Sequence, residues 1–276
     1  MDDFNEFVGT EFSRLLLRGS DLDWARLALE LAADGQPQLD PGRTLRWISE
    51  RRDELLGVVA AAWSESDALR RLAACLVERH GIEGHSSAVR SADGYYLNRI
   101  IETGRGAPIG LSLLYLAVAR SLMMELHPVA APIRFLTRYE STEGPTFVDP
   151  YDRGRLMSFD ECIGWCAEFG DRDELGRWLE PVSPRVAILH MLNRLKILHV
   201  EREDWQTAWR VQRRLAALKP TSYGERRDLA ILAAKAGQLP QAVELLRHCL
   251  KEGPSKDTPL LTSYLQTVEL QLASWN

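Results

Sequence analysis

The sequence predicts an α+β chain that is mostly α. A helical N-terminal region leads into a central helix with a small antiparallel sheet, and helical pairs follow. Three observations predict this. Residues 105–119, Arg-Gly-Ala-Pro-Ile-Gly-Leu-Ser-Leu-Leu-Tyr-Leu-Ala-Val-Ala, are apolar on nearly every helical face, the mark of a helix enclosed by its domain. Extended stretches follow at 128–139 and 146–148. Beyond Pro184 the chain repeats itself at a spacing of 34 residues.

The N-terminal elements follow from apolar spacing and punctuation. Phe4, Phe7, Phe12, Leu15 and Leu16 keep a loose helical period. Asp23 can cap a helix reaching Leu31, closed by Gly35 and Pro37. Pro41 opens a longer one through Trp63, with Leu45, Ile48, Leu55, Val58 and Val59 on one side. Ser66 or Asp67 caps a fourth running to His80, residues 81–94 read as a loop, and Tyr95 to Glu102 as a short helix.

The turn Gly104 to Gly106 then feeds Pro108, which is well placed in a first helical turn because its missing N–H would be unpaired there. The central helix is expected from Pro108 to Met124. It is too short, and too closely followed by charge, to span a bilayer. Residues 128–139 fit one strand and Thr146-Phe147-Val148 a second, joined by the turn material Glu140 to Pro145. Ser158 caps a further helix with Cys162, Trp165, Cys166 and Phe169 on its apolar side.

In the C-terminal part Ala208 and Ala242, Pro220 and Pro254, Leu195 and Leu229, and Leu198 and Leu232 are each 34 apart. That period, with a small residue early in the second helix and Pro at the end, resembles the tetratricopeptide repeat. Two repeats are expected over about 189–222 and 223–256, with 257–273 as a capping helix. The expected domains are 1–180 and 181–276.

Composition bounds the function. The 34 Lys and Arg against 39 Asp and Glu give a net charge of −5, and the charged fraction of 26% is ordinary for a soluble globular protein. Residues 181–276 hold 14 basic against 9 acidic side chains, about +5, which leaves 20 against 30 elsewhere, about −10. Such asymmetry fits two units that attract one another, or an acidic partner for the basic one. Cys75, Cys162, Cys166 and Cys249 have no paired framework spacing, so reduced thiols in a cytoplasmic chain are expected. The start, Met1-Asp2-Asp3-Phe4, has neither a basic n-region nor an apolar h-region, so neither signal peptide nor transmembrane segment is expected. There is no glycine loop followed by Lys for phosphate, and Trp205 and Trp209 share a face with the repeat core, so no nucleic-acid partner is expected.

A more specific likeness lies in the centre. Leu97 to Leu111 (Leu-Asn-Arg-Ile-Ile-Glu-Thr-Gly-Arg-Gly-Ala-Pro-Ile-Gly-Leu) resembles the pattern that opens the core helix of the bacterial SirB transglutaminase-like family. Residues 132–138, Pro-Ile-Arg-Phe-Leu-Thr-Arg, resemble its Pro-Gly-His-Phe-Leu-x-Arg strand, and residues 147–154, Phe-Val-Asp-Pro-Tyr-Asp-Arg-Gly, its Asp-Pro-Phe segment. The resemblance covers roughly residues 40–276. It implies a transglutaminase- or papain-like core and C-terminal tetratricopeptide-like helices that bind a protein or peptide.

Transglutaminase-like chemistry needs a Cys thiolate at a helix N-terminus, a His base and an Asp to orient it. Carried over by the resemblance, the nucleophile position is Gly110, where the family commonly has Ser, the His position is Arg134 and the Asp position is Asp149. Gly110 offers no nucleophile, and a guanidinium cannot act as a base. No catalytic residue is therefore assigned: a degenerate triad without cofactor or metal is expected. Arg134, Asp149, Arg105 and Gly110 remain ligand-binding candidates, since Arg134 beside helix N–H groups near Gly110 would suit a carboxylate or phosphate. Between these two residues the expected arrangement is an at least partly buried, bidentate Arg134–Asp149 ion pair; in the alternative Arg134 points into the cleft and awaits an anion, leaving Asp149 to cap local backbone N–H groups. Ser112 lies about 200° around the helix from Gly110 and faces away. Cys162 and Cys166, at i and i+4, and likewise Cys75 and Cys249, read as core. His80 and His85 read as exposed loop residues, and His127 as a helix-end residue.

Overall fold

The computed structural model describes residues 7–19 and 21–274. Phe4 of the first apolar spacing lies outside these residues. The chain divides into two compact units, Gly9–Met191 and Leu192–Asn276 with Met1–Val8.

In the first unit, capping residues set most helix starts. Thr10 accepts the Ser13 N–H at 3.1 Å and opens α1 (Glu11–Leu16). Asp23 accepts the Arg26 N–H at 3.0 Å and opens α2 (Trp24–Ala33). Asp40 does the same for α3 (Pro41–Ala60), which stops short of Trp63. Helix α4 (Glu65–Ala74) is capped by Ser64, not by Ser66 or Asp67. The Ser64 hydroxyl accepts the Asp67 N–H at 3.1 Å while the Asp67 carboxylate accepts the Trp63 N–H at 3.3 Å. This reciprocal pairing satisfies two otherwise unpaired donors and moves the start upstream.

α4 then widens into a π-turn, Cys75–Arg79. The segment expected to be a loop, 81–94, is structured. It holds β1 (Glu83–Gly84), α5 (Ser86–Val89) and a 3-10 turn (Ala92–Tyr95). α6 (Leu97–Thr103) ends at Gly104, whose φ of 73° lies in the left-handed region that glycine adopts without strain. β2 (Arg105–Gly106) pairs parallel with β1.

α7 (Pro108–Ser121) is the central helix, and every residue from Ile109 to Ala119 is buried. It ends before Met124 because Met123 turns to a φ of 61°. The sheet has four strands where two were expected. β3 (Leu126–Ala130), β4 (Phe135–Ser141), β5 (Gly144–Asp149) and β6 (Arg155–Ser158) form an antiparallel meander in that order. The single strand expected over 128–139 is two, because Pro132 in the connection cannot donate to a ladder. His127 thus sits on β3, not at a helix end. The sheet core gathers Val129, Leu136, Phe147, Met157 and Cys162.

Ser158 and Glu161 form a capping box at α8 (Phe159–Trp165). Cys162 and Cys166 are fully buried, whereas Phe169 is 44% exposed and does not belong to the apolar side. α9 (Arg172–Trp178), opened by Asp171, was not legible as periodicity.

The second unit is helical. α10 (Pro184–Glu201) enters it, followed by α11 (Trp205–Leu218), α12 (Tyr223–Lys235), α13 (Leu239–Glu252) and α14 (Thr258–Ala273). Ala208 and Ala242 each occupy the fourth position of their helix, and both are fully buried. Pro220 and Pro254 each follow the last helical residue by two. Ala242, Leu246, Cys249, Leu261 and Val268 share one core, so α14 covers the face left by α13. Among the described residues no helix is long and apolar enough to cross a membrane.

Candidate functional site

Arg134 and Asp149 are brought together by strand pairing. Arg134 immediately precedes β4 and Asp149 ends β5, and the register Thr137 to Val148 puts both at one end of the sheet. The Asp149 side chain is 2% exposed and that of Arg134 24%. Arg134 Nε lies 3.5 Å from Asp149 Oδ2. This is an ion pair, but a single contact rather than the bidentate fork of ideal geometry.

The carboxylate has other work. Its Oδ1 accepts the backbone N–H groups of Tyr151 at 3.0 Å and Asp152 at 3.2 Å, an Asx-type turn that shapes the segment after β5. Burial pushes the Asp149 carboxyl above its ordinary range, against the lowering effects of Arg134 and the two N–H donors.

The guanidinium is held by aromatic faces. Its carbon lies 5.0 Å from the Tyr151 ring centroid and 5.1 Å from that of Trp165, both within cation–π range. Tyr151 is itself placed by close backbone approach. Gly84 donates its N–H to Tyr151 O at 3.2 Å, and a Cβ on Gly84 would stand 2.3 Å from that oxygen. Sequence reasoning missed Tyr151 and Trp165 as partners of Arg134. The Asp-Pro-Tyr segment carried the first, but nothing in the chain order signals the second.

Gly110 does not join this group. A Cβ there would stand 2.5 Å from Gly94 O, 2.8 Å from Ile100 Cδ1 and 3.1 Å from Tyr95 Cα. The residue is a point of close backbone packing against the 3-10 turn and α6. Ordinary side chains do not fit, a serine or cysteine nucleophile included. Arg105 lines a separate cavity of about 320 Å³ with Ser87, Ser91, Asp93 and Thr103.

Tyr115 shares α7 with Gly110. Its hydroxyl would stand 2.9 Å from a Cβ on Gly154, and burial, then the Asp149 charge, push its pKa up. The Tyr115 and Ser112 hydroxyls are buried and make no hydrogen bond among the described residues. The thiols are no better placed for nucleophilic chemistry. Burial raises all four, Cys162 to about 12, whereas a nucleophilic cysteine needs the opposite shift.

The histidines differ from expectation. His80 is not an exposed loop residue: its side chain is 23% exposed and its Nε2 lies 3.0 Å from Glu54 Oε2. His85 accepts the Ser87 N–H and so caps α5. Neither approaches Arg134 or Asp149 in sequence or in any contact of the structure.

Residues 195–262 match the tetratricopeptide repeat family. A UPF0162 protein of Xylella fastidiosa (strain Temecula1) is 27% identical over 187 residues, 65% of this chain and 66% of its own length. Protein SirB1 of Salmonella typhimurium is 24% identical over 180 residues, 62% of this chain and 65% of its own. The chain thus spans just under two thirds of the length of these bacterial relatives. Human F-box only protein 21 is 28% identical over 134 residues, 44% of this chain and 21% of that protein. Residues 44–193, over half of the chain, match the transglutaminase-like superfamily, and the chain belongs to that superfamily.

Proposed function

We propose that this chain is a non-catalytic transglutaminase-like protein that acts as an adaptor, holding a protein or peptide on its tetratricopeptide-like helices. The observation that carries the first half is Gly110. Backbone and side-chain atoms fill the space that a nucleophile would need, and the base position holds Arg134.

The second half rests on the helical unit. Side chains of α10 and α12 line a cavity of about 340 Å³ whose walls are Ile197, Val200, Ile231 and Leu232. Ile197 is 42% exposed. Lys235 Nζ stands 3.9 Å from the Trp205 ring centroid at one rim, and Lys196 pairs with Asp228 at 3.1 Å. An apolar floor with lysines on its border, in the basic part of the chain, suits an acidic peptide carrying an apolar anchor.

A peptide library displayed against the full chain tests this. Selected sequences should combine acidic residues with one large apolar residue, and Ile197→Glu should abolish their binding. Selection of no peptide, or binding indifferent to Ile197→Glu, contradicts the adaptor reading. Amide turnover sensitive to iodoacetamide contradicts the non-catalytic one.

A second reading has its own support. Among the described residues the Arg134 guanidinium donates no hydrogen bond, while its faces are held by Tyr151 and Trp165. Such a group can present free N–H donors to a carboxylate or phosphate. Calorimetric titration with phosphate and with a dicarboxylate tests it, with Arg134→Gln as the control that should abolish the heat.

A further inference from the structure

Glu54, Cys75 and His80 converge away from the sheet. A carboxylate oxygen, the Cys75 Sγ and a His80 ring nitrogen all lie within 4.8 Å of one another. Glu54 lies in the C-terminal half of α3, Cys75 opens the π-turn that follows α4, and His80 comes just after that turn.

The π-turn creates the pairing. In an α-helix, residues five apart point about 140° from each other. Here the His80 N–H donates to Cys75 O at 3.2 Å, a bond spanning five residues. The wider turn brings residue 80 round towards the face of residue 75. π-bulges cost regular bonding and occur frequently at functional sites.

The ligand atoms are held by a surrounding shell. Cys75 is 3% exposed. The Glu54 Oε2 faces His80 Nε2 at 3.0 Å, while its Oε1 accepts Arg79 Nη1 at 2.8 Å. Trp47 meets the His80 ring edge-on at 5.6 Å between centroids. Arg51 Nε stands 3.1 Å from Glu54 Oε2, and its own charge is offset by Glu50 at 3.4 Å. Hydrogen-bonded carboxylates and oriented imidazoles are what metal ligands require around them.

We propose that Glu54, Cys75 and His80 form a zinc site. Thiolate, imidazole and carboxylate are the zinc donor set, and three protein ligands leave a fourth position for water. Bond lengths of about 2.0–2.3 Å place tetrahedral ligands roughly 3.3–3.6 Å apart. Glu54 Oε2 and His80 Nε2, at 3.0 Å, need to part slightly, and the Cys75 Sγ, within 4.8 Å of the other two ligand atoms, needs to close by up to about 1.5 Å. Zinc binding releases the Cys75 thiol proton. The charges of thiolate and carboxylate then balance the ion, and Arg79 keeps Glu54 Oε1. The bound ion ties α3 to the end of α4.

The test is titration of the chelator-treated full chain with Co²⁺, read by absorbance, then with Zn²⁺. The expected result is one Co²⁺ per chain with a thiolate-to-cobalt charge-transfer band, displaced by one equivalent of Zn²⁺. The melting temperature should rise with Zn²⁺. Cys75→Ser and His80→Ala should each lose the band while circular dichroism shows the fold retained, and Cys249→Ser should keep it. Absence of the band in folded wild-type protein overturns the site. So does a band that survives either Cys75→Ser or His80→Ala. Should Cys75→Ser fail to fold, the wild-type band and His80→Ala still decide, because the His80 side chain is partly exposed.

Discussion

Replacing Asp149 by Ala and by Asn should have very different effects. The carboxylate is 2% exposed and accepts two backbone N–H groups at 3.0 and 3.2 Å. A hydrogen bond to a charged group contributes about 1.5–3 kcal/mol. Tyr151 is half-buried and Asp152 exposed, so water replaces part of what Ala removes, and the net cost is about 3 kcal/mol. For a unit of this size that lowers the melting temperature by about 6–12 °C. Asn keeps an oxygen for both donors and loses only the charge. Since burial already disfavours that charge, Asp149→Asn should stay within about 1 kcal/mol of wild type at neutral pH. Thermal melts of the full chain measure both, and they carry a sign in pH. The folded state raises the Asp149 pKa, so it holds the proton more tightly than the unfolded chain does. The group's contribution is fully present below the ordinary carboxyl range and is lost as pH rises through the raised value. The stability of wild type relative to Asp149→Asn should therefore decline as pH rises through that window. An Asp149→Ala protein that melts with wild type, or an Asp149→Asn protein as damaged as Asp149→Ala, refutes the reasoning.

Gly110→Ala should lower stability by about 1–3 kcal/mol through overpacking against Gly94 O, and Gly110→Cys should gain no thiol-dependent amidase activity, read with a chromogenic amide. Ala208→Leu and Ala242→Leu should each cost a similar amount, whereas Leu270→Ala, at a side chain 73% exposed, should stay within about 0.5 kcal/mol; denaturant melts compare all three. Ser158→Ala removes one arm of the capping box at α8 and should cost about 1 kcal/mol, seen as a reduced melting temperature. The four cysteines are buried with raised pKa values, so iodoacetamide should label them in denaturant and not in native protein, as counted by intact mass.

Where local chemistry decides a structure, the sequence could be read directly. Asp23 and Ser158 cap the helices expected of them, and Pro108 opens the central one. The 34-residue spacing located Ala208 and Ala242 at matching helix positions because repeat packing demands a small side chain there. Residues 128–139 read as one extended stretch because the break between the two strands rests on a single residue, Pro132. α9 was missed because only Leu175 of its seven residues is buried, leaving no periodic face. The Arg134–Asp149 pairing was readable from the resemblance. Its shape was not, since Trp165 reaches Arg134 from another element and the close approach at Gly110 comes from Gly94, sixteen residues upstream. The π-turn that swings His80 towards Cys75 has no composition signal at all.

Hydrogen exchange with a selected acidic peptide bound to the full chain tests the central claim most directly. The account predicts new protection confined to α10 and α12, around Ile197 and Ile231, with the segment from Ile133 to Tyr151 unchanged. Protection centred on Arg134, Tyr151 and Trp165, with the helical repeats unaffected, would contradict it.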